Sequence, residues 1–384
     1  MTSLIPQNIP LSLYIHMPWC VKKCPYCDFN SHTVPDGALS DSLEQSYLAA
    51  LVADFETQVA YAQGREIESV FIGGGTPSLI SAAGYEWLFQ QLKARLTFTA
   101  SCEITLEANP GTLEHQPFED YLAVGINRLS LGVQTFDADH LQRLGRIHSA
   151  AHAVSAIENA KLAGFERLNV DLMHGLPEQT LDQALFDLKQ AVEAGATHIS
   201  WYQLTIEPNT VFFRTQPTLP DESTLFDIQS SGEAYLRAQG FIQYEVSAWR
   251  KEAPSQHNVN YWQFGDYLAI GAGAHGKVTQ ADGVYRFQKT RMPKDYLSQT
   301  PAAMVQFQQV QADDLPFEFM MNALRLNTGV PQSFYAARTG IHFDTIATQV
   351  HHLQQKGLML DQADTLACTS HGHQFLNTVL ESFL

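Results

Sequence analysis

A parallel α/β fold is predicted by three features of this sequence: a partial (β/α)6 barrel of TIM-like build, followed by a smaller α+β winged-helix-like lobe. Six short, β-rich apolar runs alternate with helical patterns over the first 240 residues, as expected of βα units around a parallel sheet. Glycines stand just past several of the helical patterns, at Gly64, Gly125, Gly164, Gly195 and Gly240. There the left-handed conformation that ends a helix costs glycine little. Polar or glycine-rich motifs follow five of the runs, at the carboxyl ends where parallel α/β architectures carry their sites.

The strand-like runs are Leu11 to His16, Ser69 to Ile72, Glu103 to Leu106, Arg128 to Val133, Arg167 to Leu172 and His198 to Ile206. Helical patterns lie around 41–62, 84–95, 114–123, 150–163, 181–194 and 222–239. Beyond 240 the alternation gives way to strand-like stretches with glycine-rich turns: Phe241 to Ala248, Tyr267 to Gly276 and Gly283 to Phe287. Near 314 an amphipathic helix is expected, with Leu315, Phe319, Ala323 and Leu326 on one face. A second is expected over 343–355, with Gly357 as its stop. The expected units are a core over 1–240, a β-rich extension over 241–300 and a carboxyl-terminal lobe over 301–384. That agrees with 384 residues at about 150 per domain.

The net charge of −17, from 23 basic and 40 acidic residues, excludes a broad phosphate-binding surface and with it a nucleic-acid partner. The amino terminus has no basic and apolar leader pattern, and no apolar stretch reaches the ~18 residues of a membrane span. The expected location is cytoplasmic.

The chemistry is concentrated in Tyr14-Ile-His-Met-Pro-Trp-Cys20-Val-Lys-Lys-Cys24-Pro-Tyr-Cys27-Asp-Phe29. Its C-x3-C-x2-C spacing leaves an Fe-S cube one thiolate short, with one iron open to a small molecule. A disulfide fits poorly, because the five cysteines are odd in number and Cys102 and Cys368 lie far away. Zinc is the rival, with His16 or His32 as fourth ligand, but structural zinc sites usually have a second close cysteine pair, which this chain lacks.

This motif, with an aromatic, Tyr26, just before its last cysteine, resembles the signature of the radical S-adenosylmethionine (SAM) superfamily. The resemblance implies a [4Fe-4S] cluster on Cys20, Cys24 and Cys27, SAM on the open iron, and Tyr26 near the cluster or adenine. Gly73-Gly-Gly-Thr-Pro77 permits close backbone approach to a ligand. Read alone it is equally a tight strand-to-helix turn; by resemblance Gly74, Gly75 and Thr76 contact the SAM amino group. Glu107, at a strand end beside Asn109-Pro110, would likewise hold the hydroxyl or amino-acid end of SAM, where the plain reading is a solvated carboxylate.

The narrower resemblance is to the oxygen-independent coproporphyrinogen III oxidase family. It rests on the stretch from Tyr14 to Cys20, the glycine run, Gly132-Val-Gln134-Thr-Phe and the final lobe. In that branch the counterparts of Gln134, Arg146 and Asp171 contact a second SAM; the plain reading of Arg146 is an ion pair with Asp137 or Asp139. The same resemblance places Tyr14 among the cofactor-binding residues. The oxidases continue C-x3-C-x2-C-x-C, and here Phe29 takes the fourth cysteine's place.

His257-Asn258-Val-Asn-Tyr261-Trp262 resembles an element of the haem-chaperone relatives of the oxidase. Imidazole is a standard haem ligand and aromatic rings pack on porphyrin faces; the plain reading is a turn with a buried Trp. His257 is thus the expected haem ligand, with Tyr261 second. His275, among small residues in Gly271-Ala-Gly-Ala-His-Gly276, is a further imidazole able to approach a flat ligand. The expected function is that of a haem chaperone carrying a [4Fe-4S] cluster and SAM. It would pass haem to an acceptor of the respiratory membrane, with the cluster serving regulation, homodimer formation or handover. The rival is an oxidase that decarboxylates a tetrapyrrole.

Overall fold

The computed structural model describes residues 3–34, 38–111, 117–299 and 304–384. Six parallel strands form the barrel wall: β1 (Leu11–Met17), β2 (Ile67–Gly74), β3 (Phe98–Ala108), β4 (Arg128–Gln134), β5 (Arg167–His174) and β6 (His198–Gln203). Most of their residues are buried, as expected of a parallel sheet with helices outside.

The sheet extends past both barrel edges. After β6 come β7 (Ile242–Glu245) and β8 (Ala248–Arg250), which are antiparallel, with β8 paired to β6. Beyond β1, β9 (Asp266–Ile270) runs parallel to it, and β10 (His275–Gln280), β11 (Gly283–Lys289) and β12 (Met304–Gln309) follow antiparallel. The strand order is β12-β11-β10-β9-β1-β2-β3-β4-β5-β6-β8-β7. Strands from the 241–300 segment therefore continue the barrel sheet. The single strand expected over 267–276 is two strands, reversed by Gly271 at φ 107° and Gly273 at φ 82°.

The outer helices follow their local signals. Leu181–Ala194 starts with a capping box, in which Thr180 and Gln183 bond each other's backbone, and stops at Gly195 with φ 100°. It buries Ala184, Asp187, Leu188 and Ala191, a stripe at helical spacing. Only the part of the expected 114–123 helix from Phe118 on is described; residues 112–116 lie outside the described residues.

The carboxyl-terminal lobe has its own apolar core, including Phe319, Tyr335, Leu353 and Val379, which joins Phe264 and Val284 of the sheet side. Helix Leu315–Ala323 buries Leu315, Phe319, Met320 and Ala323. The helix expected over 343–355 is a 3-10 turn, Phe343–Thr345, followed by Ala347–Gln355. Helix Ser333–Thr339 was not legible, being too short to show a periodicity. Among the described residues no helix is long and apolar enough to cross a membrane.

Buried ion pairs centred on two carboxylates, Asp266 and Asp54, join the extension to the barrel. Asp266 accepts from Arg65 Nη1 at 2.8 Å and Lys277 Nζ at 2.9 Å, and Lys289 pairs with Asp54. Burial pushes the Asp266 carboxyl up, but the Lys277 and Arg65 charges prevail and hold it below its usual range. Removing that carboxylate strands two cations in the interior. Asp266→Ala should cost about 3–5 kcal/mol in denaturant unfolding at neutral pH. Because a depressed acid stabilises only while ionised, the parent's advantage should vanish as pH falls through the Asp266 value.

Candidate functional site

The carboxyl ends of β1 to β6 open into a cavity of about 340 Å³, lined by Cys20, Cys24 and Cys27 together with residues from every barrel strand after the first. The three cysteines are free thiols, each partly exposed.

The cysteine loop is clamped to the glycine run. Gly75 N–H donates to Met17 O and Thr76 N–H to Trp19 O, both at 2.6 Å. A Cβ on Gly75 would lie 2.3 Å from Trp19 O, and one on Gly74, whose φ is +109°, would lie 2.5 Å from the His16 ring. These glycines are required by close approach as well as by backbone angle. His16 Nε2 donates to Asn30 O at 2.9 Å, which leaves Nδ1, also at 2.9 Å, to accept from Tyr14. Tyr14 thus acts on the loop through His16, and the cavity lining does not include it.

Arg146 crosses the mouth. It donates to Asn109 Oδ1 and Gly132 O at 2.5 Å each, and to Cys24 Sγ at 3.5 Å. The ion pair with Asp137 or Asp139 is not formed; Asp137 instead caps the helix that begins at Ala138. Asn109 Nδ2 reaches Thr76 Oγ1 at 3.1 Å, so one network spans the glycine run, β3, β4 and the cysteine loop.

Deeper in, Glu107 accepts from Gly74 N–H at 3.2 Å. Asp171 accepts from Ser130 at 3.0 Å and Asn169 at 2.8 Å. Gln134 has φ 72° at a bulge between β4 and β5, and its Oε1 accepts from the Tyr202 hydroxyl at 2.9 Å. Burial, reinforced by the Asp171 charge, raises the Glu107 carboxyl to about 8, against the opposing Gly74 N–H and Arg128 charge. Burial also raises Asp171, against hydrogen bonds from Ser130, Ser200 and Asn169. In both, burial disfavours the charged form.

Cys20, Cys24, Cys27, Tyr26, Gly74, Gly75, Glu107, Gln134, Arg146 and Asp171 therefore line one cavity, whereas Thr76 is buried outside the lining, bonded to Asn109. His257 and Tyr261 require a correction. They lie in a helix, Gln256–Trp262, docked into the barrel from its opposite end. His257 is 1% exposed, its Nδ1 is 3.0 Å from Ser69 Oγ, and its ring packs between Phe71 and Tyr261. No surface is left there for a tetrapyrrole. Burial and the Arg128 charge depress the imidazole to about 3. Of the six-residue element, Asn258 alone lines the cavity.

Sequence reasoning missed Tyr202, Arg128 and Asp187. Asp187 is a buried carboxylate that accepts from Thr135 Oγ1 at 2.8 Å and Phe136 N–H at 2.6 Å, fixing the turn after Gln134. Their one available signal was polarity within otherwise apolar periodic runs.

Barrel, carboxyl-end cavity and partly exposed cysteine triplet define a radical SAM protein. A model of the radical SAM superfamily matches residues 14–190, and one of the HemN C-terminal domain matches residues 310–375. The chain is 48% identical to a protein of Haemophilus influenzae named heme chaperone HemW, over 99% of both chains. It is 49% identical to one of the same name from Escherichia coli, over 98% of both. A bovine mitochondrial protein, radical S-adenosyl methionine domain-containing protein 1, is 34% identical over 99% of this chain and 88% of its own. The chain belongs to the HemW family of the radical SAM superfamily. In fold it also matches the solved coproporphyrinogen III oxidase HemN of Escherichia coli, with TM-score 0.81 and 23% identity, over 99% of this chain and 91% of that one.

The raised Glu107 value carries a stability signature. A carboxyl raised in the fold stabilises most below its unfolded value and progressively less as pH rises through its folded value. Ligand-free protein should therefore lose melting temperature between the ordinary 4.5 and about 8. Glu107→Gln should flatten that decline in a pH series of thermal melts.

Proposed function

We propose that this chain is a cytoplasmic haem chaperone of the radical SAM fold. It would hold a [4Fe-4S] cluster and SAM, bind haem, and pass it to an acceptor protein. The observation that carries this reading is full-length likeness, at 48% and 49% identity, to two proteins named heme chaperone. Phe29 supports it, since it stands 60% exposed on the cavity rim and offers no thiol at the place of the oxidases' fourth cysteine.

The residues present fit the cofactors. Cys20, Cys24 and Cys27 would hold the cluster. Gly74 and Gly75 present backbone beside it, and Thr76 backs them. Glu107 would accept from a SAM amino or hydroxyl group, and the Arg146 guanidinium, already at Cys24 Sγ, suits the SAM carboxylate. Asp171 and Gln134 supply further polar contacts, and Tyr26 an aromatic wall. When bound, the pair supplies a low-potential one-electron source next to a sulfonium. With Phe29 in place of a thiol, the protein's own part is to bind and orient these groups.

The test is anaerobic reconstitution followed by two assays: haemin titration and coproporphyrinogen conversion with SAM and reductant. One haem per chain without product is expected; product at useful rates would sink the chaperone reading. Cys20→Ser, Cys24→Ser and Cys27→Ser should each lose the visible absorption of the cluster. Gly74→Ala, which forces a Cβ into the His16 ring at positive φ, should weaken SAM binding by about tenfold or more in calorimetry.

A further inference from the structure

Burial of the His257 element leaves the haem without a seat, and another imidazole answers to it. Beside the cysteine loop, at the same end of the barrel as the cavity, the turns β9-to-β10 and after β11 form a shelf. Asn30 joins the two parts: its Nδ2 donates to Ala272 O at 2.9 Å and to Arg291 O at 2.8 Å. Gly273 lies so close that a Cβ there would meet Asn30 Nδ2 at 2.2 Å, and Gly273 N–H is bonded to Thr290 O at 2.9 Å. This framework is bonded through its backbone, but what it displays is open. His275 is exposed, and none of the described residues hydrogen-bonds its ring. Phe29 is 60% and Met292 50% exposed, one on each side of the Asn30 bridge. Lys23, bonded to Phe29 O at 3.1 Å, and Arg291 are exposed cations beside them, on a chain whose net charge is −17.

We infer that this shelf is the haem-binding site, with His275 as the axial ligand, Phe29 and Met292 against the macrocycle and Lys23 and Arg291 toward the propionates. The inference rests on the chaperone reading and assigns its site. Each part of the ligand finds its complement: iron takes a neutral imidazole, the porphyrin face takes apolar and aromatic side chains, and carboxylates take Arg and Lys. Burial and the Arg291 and Arg286 charges depress the His275 imidazole, which keeps it neutral near pH 7. An open shelf also suits delivery, because an acceptor can reach a haem held on one side. The barrel cavity, given over to cluster and SAM, offers no such access.

The test is anaerobic haemin titration of the reconstituted full chain, followed by the Soret band and by electron paramagnetic resonance of the ferric haem. The parent, His275→Ala and His257→Gln would be compared, with thermal melting and SAM binding confirming that each variant is folded. His275→Ala should bind haem at least about tenfold more weakly and lose the imidazole signature, which added free imidazole should restore. His257→Gln should keep the parent spectrum. Haem binding by His275→Ala with the parent's affinity and spectrum would overturn the assignment, as would loss of the imidazole signature in His257→Gln alone. Absence of haem binding by the parent would instead remove the chaperone reading itself.

Discussion

Two short backbone hydrogen bonds, from Gly75 to Met17 and from Thr76 to Trp19, are the constraint on which the site depends. They seat the cysteine loop directly on the glycine run, with no side chain between. A loop carrying three thiols to one cluster has to keep its shape when the cluster is absent, or each loading event must order it anew. Here the neighbouring strand does that work. His16 and Asn30 extend the clamp outward, from the loop to the turns that follow β9 and β11.

The barrel interior obeys a second constraint, which is polar. Carboxyls, amides, hydroxyls and Arg128 fill the volume that an ordinary α/β barrel gives to branched apolar side chains. Such an interior is stable only if its groups satisfy one another. The helix Gln256–Trp262 completes it from below: Glu103 accepts from Ser255 Oγ and His257 N–H, and Ser12 and Ser69 meet Asn260 and His257. The H-N-x-x-Y-W element thus plugs the barrel, and a plug has no free face for a porphyrin. Its one residue in the cavity lining is Asn258.

Much of this was legible without coordinates. Strands buried on both faces read as apolar runs, and glycine caps mark the helix ends, because each depends on residues near in sequence. Gly74, Glu107 and Gln134 stand at the carboxyl ends of their strands, where a parallel sheet of any order exposes them, whereas Arg146 and Asp171 were reached only through the family resemblance. Asp187 was not, since it serves a turn 51 residues away from the buried face of a helix. The burial of His257 was not legible either, because a polar aromatic motif looks the same whether it faces a cavity or another strand.

The sequence by itself therefore determined three closely spaced thiols and a barrel to hold them. Spacing along the chain carries that information directly. Only the tertiary structure decided which histidine is sealed and which is open. Exposure depends on the packing of segments remote in the chain, and here the turn between β9 and β10 leaves His275 exposed while Ser69 and Phe71 enclose His257.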